Sequence, residues 1–216
     1  MSKANQKKEV SSHYDIGNDF YKMWLDETMS YSCGYFEQDN ATLYEAQCRK
    51  VGRILEKLDL HEGMTLCDIG CGWGFLLIEA AKKYKVRGVG ITLSVEQKKR
   101  FEERIKTEGL EDVLTVELMD YRELPKYKTQ FDRIVSVGMV EHVGRGCYEE
   151  FMHCVQNALK PGGLFLFHFI SALKEYPGDA WIKKYIFPGG VIPSLRELIG
   201  IAGELGFYTL DVESLR

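Results

Sequence analysis

The 216-residue chain is 45% hydrophobic and 28% charged with a formal net charge of -4, so it can bury a sizeable core as one globular domain and is neither a polar tail nor a repeat array. Its lysines and acids are interspersed, and without a basic stripe to neutralise phosphates nucleic acid is not an expected partner. The six cysteines (Cys33, Cys48, Cys67, Cys71, Cys147, Cys154) are scattered, with no CxxC pair and no secretory leader before them. Reduced thiols in a cytoplasmic protein are expected, and no apolar run has the length of a membrane span, so contact with a bilayer is expected only from its surface.

In chain order, the polar, lysine-containing head "MSKANQKKEV" predicts a frayed terminus. Ser11 to Phe36 is rich in aromatics and is expected to lie as a lid over the sheet, and "ATLYEAQCRKVGRILEKLDL" has the period of an amphipathic helix ending just before His61-Glu62-Gly63. Residues 1–60 therefore read as an N-terminal helical lid, and 61–216 as the main domain. There the period alternates: strand "MTLCDI", helix "GFLLIEAAKKY", strand "VRGVGITL", helix "SVEQKKRFEERIKTEG", strand "VLTVELMD". Strand "FDRIVSVGMV", helix "YEEFMHCVQNAL", the turn "KPGG" and strand "LFLFHFI" complete the alternation. Strands apolar nearly throughout, separated by amphipathic segments of helical length, predict α/β architecture with a doubly wound parallel sheet covered on both faces. The tail "PSLRELIGIAGELGFYTLDVESLR" predicts a helix and then a strand with nothing after it to pair or cover it.

The stretch "LCDIGCGWGFLLIEAAKKY" places Gly70, Gly72 and Gly74 at a strand-to-helix turn. Absent side chains permit positive φ there, and a helix N-terminus offers free N–H groups, so a nucleotide-like ligand is expected to approach the backbone. The nicotinamide fingerprint is G-x-G-x-x-G with an acid at the tip of the next strand, whereas this loop is G-x-G-x-G and the second strand ends in Ile91-Thr92-Leu93. Asp68, at the first strand's C-terminal tip, faces the ligand crevice and suits a cationic or hydroxyl group. A ligand carrying an amino acid and an adenosine, without pyrophosphate, fits better than a dinucleotide. The plain packing alternative is that the glycines serve only a tight turn.

Taken with "GITLSVEQ", "HYDIGNDFYKMWLDETMSYSCGYF" and "SVGMVEHVG", the loop "CDIGCGWG" resembles the cyclopropane fatty acid synthase family of S-adenosylmethionine-dependent methyltransferases, from His13 nearly to the last residue. The resemblance implies a Rossmann-like class I methyltransferase sheet. It implies S-adenosylmethionine contacts from Tyr31 and Ser32 at the methionine end, Gly70, Gly72 and Gly74 along the middle, and Thr92, Leu93 and Gln97 around the ribose. Asp120, Tyr121 and Arg122 are expected to flank the adenine, although an aromatic there is often Trp in the family. The implied reaction adds a methylene to the cis alkene of a phospholipid acyl chain at the membrane surface, with a bicarbonate ion as base held by Cys33, Glu141 and His168. Family members also continue for several dozen residues past Arg216, so a C-terminal part is expected to be missing.

Each candidate keeps a packing alternative. His168 inside "LFLFHFI" also suits a satisfied core histidine, Glu141 beside His142 could cap a short helix, and Cys33 could be a small hydrophobe. The aromatics "FYKMWL" and "WIKKYIFPGG" fit a core as well as an acyl channel. Two other functions stay open: an amine or phosphobase N-methyltransferase, which needs no bicarbonate, and a non-catalytic cofactor-binding remnant whose final strand pairs with another chain, a homodimer being one such assembly.

Overall fold

The computed structural model describes residues 17–127, 129–175, 177–187 and 189–215; the expected frayed head and the first part of the aromatic lid lie outside them. β1 (Thr65–Ile69), β2 (Arg87–Thr92), β3 (Leu114–Leu118), β4 (Phe131–Val137) and β5 (Leu159–His168) form one parallel sheet in the order β3-β2-β1-β4-β5. β1 is central, with Cys67 paired to Val89 on one side and Ile134 on the other. Because the strand order reverses there, a crevice opens at the carboxyl ends of β1 and β4, the usual ligand position in such sheets.

Helices α1 (Asn18–Lys22) and α2 (Leu43–Lys57) precede the sheet, and α3 (Phe75–Tyr84), α4 (Val95–Thr107), α5 (Tyr148–Ala158), α6 (Ala180–Tyr185) and α7 (Leu195–Glu204) come after its strands. Local chemistry sets several starts. Thr42 accepts the Glu45 N–H while Glu45 returns to the Thr42 N–H, and Ser194 with Glu197 repeats the device on α7; each such cap contributes about 1 kcal/mol. On one sheet face Leu55 and Leu58 from the α2 region, Leu77 of α3 and Phe101 of α4 bury with Leu66 and Leu114. On the other, Phe151 and Val155 of α5 and Leu198 of α7 cover Ile69 and Ile134. Full burial of each large side chain contributes about 1.5–3 kcal/mol, which makes these two layers the main source of stability.

The described part of the lid is fastened to the glycine loop. Tyr21, Met29 and Trp73 share a small core, the Trp73 indole N–H donates to Asn18 Oδ1 at 2.6 Å, and Arg104 of α4 donates to the carbonyls of Thr28 and Trp73 at 3.2 and 3.1 Å.

Two expectations change. The "KPGG" turn does not precede β5 but interrupts it: opposite β4 the partner jumps from Leu159 at Phe131 to Leu164 at Arg133, so the four residues bulge out around Asp132, to which Lys160 donates at 2.7 Å. The expected final strand is not formed, since residues 207–215 have no regular secondary structure. Phe207 packs near Phe165, and the segment then leaves the edge of β5 to place Asp211 and Glu213 against Lys57 and Arg53 of α2. An extended segment without a neighbouring strand has no ladder to hold it.

Candidate active site

The glycine loop leaves β1 with positive φ at Gly70 (83°), Gly72 (54°) and Gly74 (84°), and the three glycines serve different ends. A Cβ on Gly74 would meet the Phe101 ring at 2.1 Å and one on Gly70 would meet Met139 at 2.8 Å, whereas one on Gly72 would meet nothing within 4 Å. The first two are needed for packing. All three border a cavity of about 150 Å³ at the carboxyl end of the sheet, room for a many-atom ligand where a single water needs roughly 10–15 Å³, but only Gly72 has open space beside it.

Of the residues singled out from the sequence, Tyr31, Ser32, Asp68, the three glycines, Thr92, Leu93, Gln97 and Tyr121 line this cavity. Asp120 and Arg122 do not; the Asp120 carboxylate caps the turn after β3, and Arg122 binds it at 2.9 Å before reaching Glu150 at 3.0 Å. In place of an acid at the tip of β2, the Thr92 hydroxyl donates to Gln97 Oε1 at 2.7 Å. The Tyr121 hydroxyl is buried and has no hydrogen-bond partner among the described residues. Asp68 is 3% exposed; burial pushes its carboxyl up to about 7, opposed by Lys50.

Lys50 is the residue that sequence reading missed. It lines the cavity, is 2% exposed, and donates to Ser32 Oγ at 2.7 Å. Burial pulls its ammonium down to about 8, with Cys33, Asp26 and Asp68 opposing. A signal existed: Lys50 lies four residues from both Ala46 and Ile54, on the buried stripe of α2. Trp73, Met139 and His142 were also not selected, and all three line the cavity.

The other three candidates do not line the cavity but adjoin residues that do: Cys33 follows Ser32, Glu141 precedes His142, and His168 bonds Gly138. β5 ends on His168, whose carbonyl accepts the Gly138 N–H at 3.0 Å, and Cys33 Sγ, exposed on the irregular lid segment, is 3.5 Å from His168 Nε2. Burial, then the Lys50 charge, push the His168 imidazole down to about 4, opposed by a backbone hydrogen bond; it is neutral at pH 7. Glu141 comes just after β4 and accepts the Ile170 N–H on Oε1 at 2.8 Å. Burial raises its carboxyl above the usual range against that bond and a second one to its own backbone. Glu141 Oε2 and His168 Nδ1 are buried without a hydrogen-bond partner among the described residues. No group of three or more metal-ligating side chains occurs among the described residues.

The sheet order and a glycine loop at its switch point define a Rossmann-like fold of the class I methyltransferase type. The family model described as "Mycolic acid cyclopropane synthetase" matches residues 1–216, and the chain belongs to that family. It is 41% identical over 221 residues to a "Probable fatty acid methyltransferase" of Pseudomonas putida, covering 99% of this chain and 56% of the relative. To the "Cyclopropane-fatty-acyl-phospholipid synthase" of Escherichia coli K12 it is 49% identical over 187 residues, covering 86% of this chain and 47% of the relative. The chain thus spans about half the length of these curated relatives. The crystal structure of mycolic acid cyclopropane synthase CmaA1 complexed with SAH and CTAB superposes with a TM-score of 0.88 at 35% identity, over 97% of this chain and 77% of that one.

Proposed function

We propose that the chain forms the S-adenosylmethionine-binding part of an enzyme that transfers a methylene unit to the cis double bond of a phospholipid acyl chain, giving a cyclopropane. One juxtaposition carries the reading: a cavity suited to an amino-acid nucleoside lies beside Cys33, Glu141 and His168, where two buried polar atoms await a partner. The cavity residues fit S-adenosylmethionine. Gly72 leaves open space, the Tyr121 hydroxyl has no hydrogen-bond partner among the described residues, and Asp68 with Lys50 offers a carboxyl and an amine to the two ends of an amino acid. When bound, S-adenosylmethionine would supply an electrophilic methyl to the alkene, and one proton of that methyl would have to be removed for the ring to close.

That proton needs a base which does not itself compete for the methyl. Glu141 Oε2 can accept from, and the Cys33 S–H and neutral His168 ring N–H can donate to, a small oxyanion such as bicarbonate, which fits the orphaned atoms. The Glu141 Oε2 and His168 Nδ1 atoms are shielded from water, which would otherwise quench a cation. Met23 (81% exposed), Trp24, Trp181 and Tyr185 give an acyl chain an apolar approach from a lipid surface. Trp24 packs on Tyr31, which stacks at 6.0 Å on Phe187, linking that approach to the cavity wall. No helix among the described residues is long and apolar enough to cross a membrane.

The test uses vesicles of monounsaturated or fully saturated phospholipid with methyl-labelled S-adenosylmethionine, and then mass spectrometry of the separated acyl chains and headgroups. Label in the acyl chains of the unsaturated vesicles alone, with loss of the alkene, is expected. Label in headgroup amines of both preparations would favour an N-methyltransferase instead.

A further inference from the structure

Lys50 is a buried ammonium with three N–H donors and one hydrogen bond, to a neutral hydroxyl, among the described residues. Neither Asp68 nor any other described carboxylate comes within ion-pair distance of it. A charge taken out of water is costly unless paired and fully hydrogen-bonded, so a cavity lined by such a lysine is organised to pair it with an anion. The surroundings supply more than charge. Ser32 Oγ accepts from Lys50, so its own O–H remains to donate, and Ser32 is held by Gln47, whose side-chain amide donates to the Ser32 carbonyl at 2.8 Å. Gln47 and Lys50 lie three residues apart on the same helix, so α2 sets the hydroxyl and the ammonium together.

We propose that Lys50 and the Ser32 hydroxyl form an anion-binding corner of the cavity that takes a carboxylate-type oxyanion. Two sources share that chemistry: the carboxylate at the amino-acid end of an S-adenosylmethionine-like ligand, and free bicarbonate, since Ser32 adjoins Cys33, whose Sγ lies 3.5 Å from His168 Nε2. The first source rests on the function proposed above; the corner itself does not.

Three measurements on the wild type, Lys50→Met and Ser32→Ala test it. By calorimetry, S-adenosylhomocysteine is compared with its decarboxylated analogue, which keeps the amine. The wild type should bind the carboxylate form about 30-fold or more tighter, Lys50→Met should bind both alike, and Ser32→Ala should lose a smaller part of the preference. Melting of S-adenosylhomocysteine-saturated protein with and without bicarbonate reads the second source. Melting of ligand-free protein with bicarbonate or acetate reads the corner alone: stabilisation should appear in the wild type and vanish in Lys50→Met. Loss of carboxylate preference alone assigns the corner to the amino-acid end, and loss of bicarbonate stabilisation in the saturated protein alone assigns it to the free ion. Ligand-free Lys50→Met should melt at or above the wild-type temperature, because an uncompensated buried charge has been removed. A lower melting temperature together with equal weakening of both nucleosides would make Lys50 a packing residue and overturn the proposal, as would a Lys50→Met protein that keeps both anion responses. If the wild type binds neither nucleoside, the functional reading fails, and the ligand-free anion measurement still decides the corner.

Discussion

Gly74→Ala and Gly72→Ala should fail in opposite ways. At Gly74 the added methyl would lie 2.1 Å from the Phe101 ring, which is fully buried and cannot swing aside. Overpacking of this kind costs about 1–3 kcal/mol, and the left-handed φ of 84° adds about 1–2 for a residue with a Cβ. For a chain of this length each kcal/mol lowers the melting temperature by about 2–4 °C, so Gly74→Ala should melt roughly 5–20 °C below the wild type before any ligand is added. At Gly72 only the backbone term applies, about 1–2 kcal/mol, because the methyl points into open cavity. That variant should melt only a few degrees lower yet lose at least about tenfold in S-adenosylhomocysteine affinity, since the ligand must occupy the space the methyl takes. Thermal melts of both proteins, with calorimetric titration of Gly72→Ala, read the two effects. A Gly74→Ala protein melting with the wild type, or a Gly72→Ala protein with unchanged affinity, would refute the division of labour along the loop.

Glu141→Gln and His168→Ala should leave S-adenosylhomocysteine affinity nearly intact and slow turnover by roughly 10²- to 10⁴-fold, the usual cost of losing general-base assistance; equal losses in both quantities would place these residues in packing instead. NMR of the His168 ring should show no titration between pH 5.5 and 8, consistent with a folded value of about 4 against an ordinary 6.5. Between about pH 4 and 6.5 the unfolded chain binds the proton and the folded one does not, so stability contributed by neutral His168 should be fully present above pH 6.5 and fall as the pH drops toward 4, an effect absent in His168→Ala. Arg53→Ala, which breaks a contact to Glu213, should leave the melting temperature nearly unchanged, as is usual for exposed ion pairs, and a large drop would show that the contact holds the tail in place. With an alkene presented in vesicles or on a short soluble chain, turnover should favour the vesicles, and equal rates would count against a lipid-surface substrate.

The sheet was legible because β1, β2 and β4 are buried on both faces and so carry apolar residues at successive positions. The glycine loop was legible as a ligand loop, but its spacing does not say which glycine packs against protein and which faces the cavity; that depends on Phe101 and Met139, distant in sequence. Lys50 was hidden for a related reason: a lysine in a charged amphipathic helix normally lies on the solvent face, and only its place between Ala46 and Ile54 marks it as buried. The final strand was overcalled because alternating residues such as Tyr208, Leu210 and Val212 fit a strand pattern, yet all three are exposed and pair with nothing regular among the described residues. Cys33, Glu141 and His168 come from three separate segments, so no local spacing joins them, and they were singled out through the family resemblance.

The most direct measurement of the proposed chemistry uses S-adenosylmethionine whose transferred methyl carries three deuterons. If a methylene is inserted into the alkene, the acyl product should retain two of them, the third having passed to the base beside Glu141 and His168, and the double bond should be gone. A product retaining all three deuterons, whether on a headgroup amine or as a methyl branch on the chain, would contradict the account.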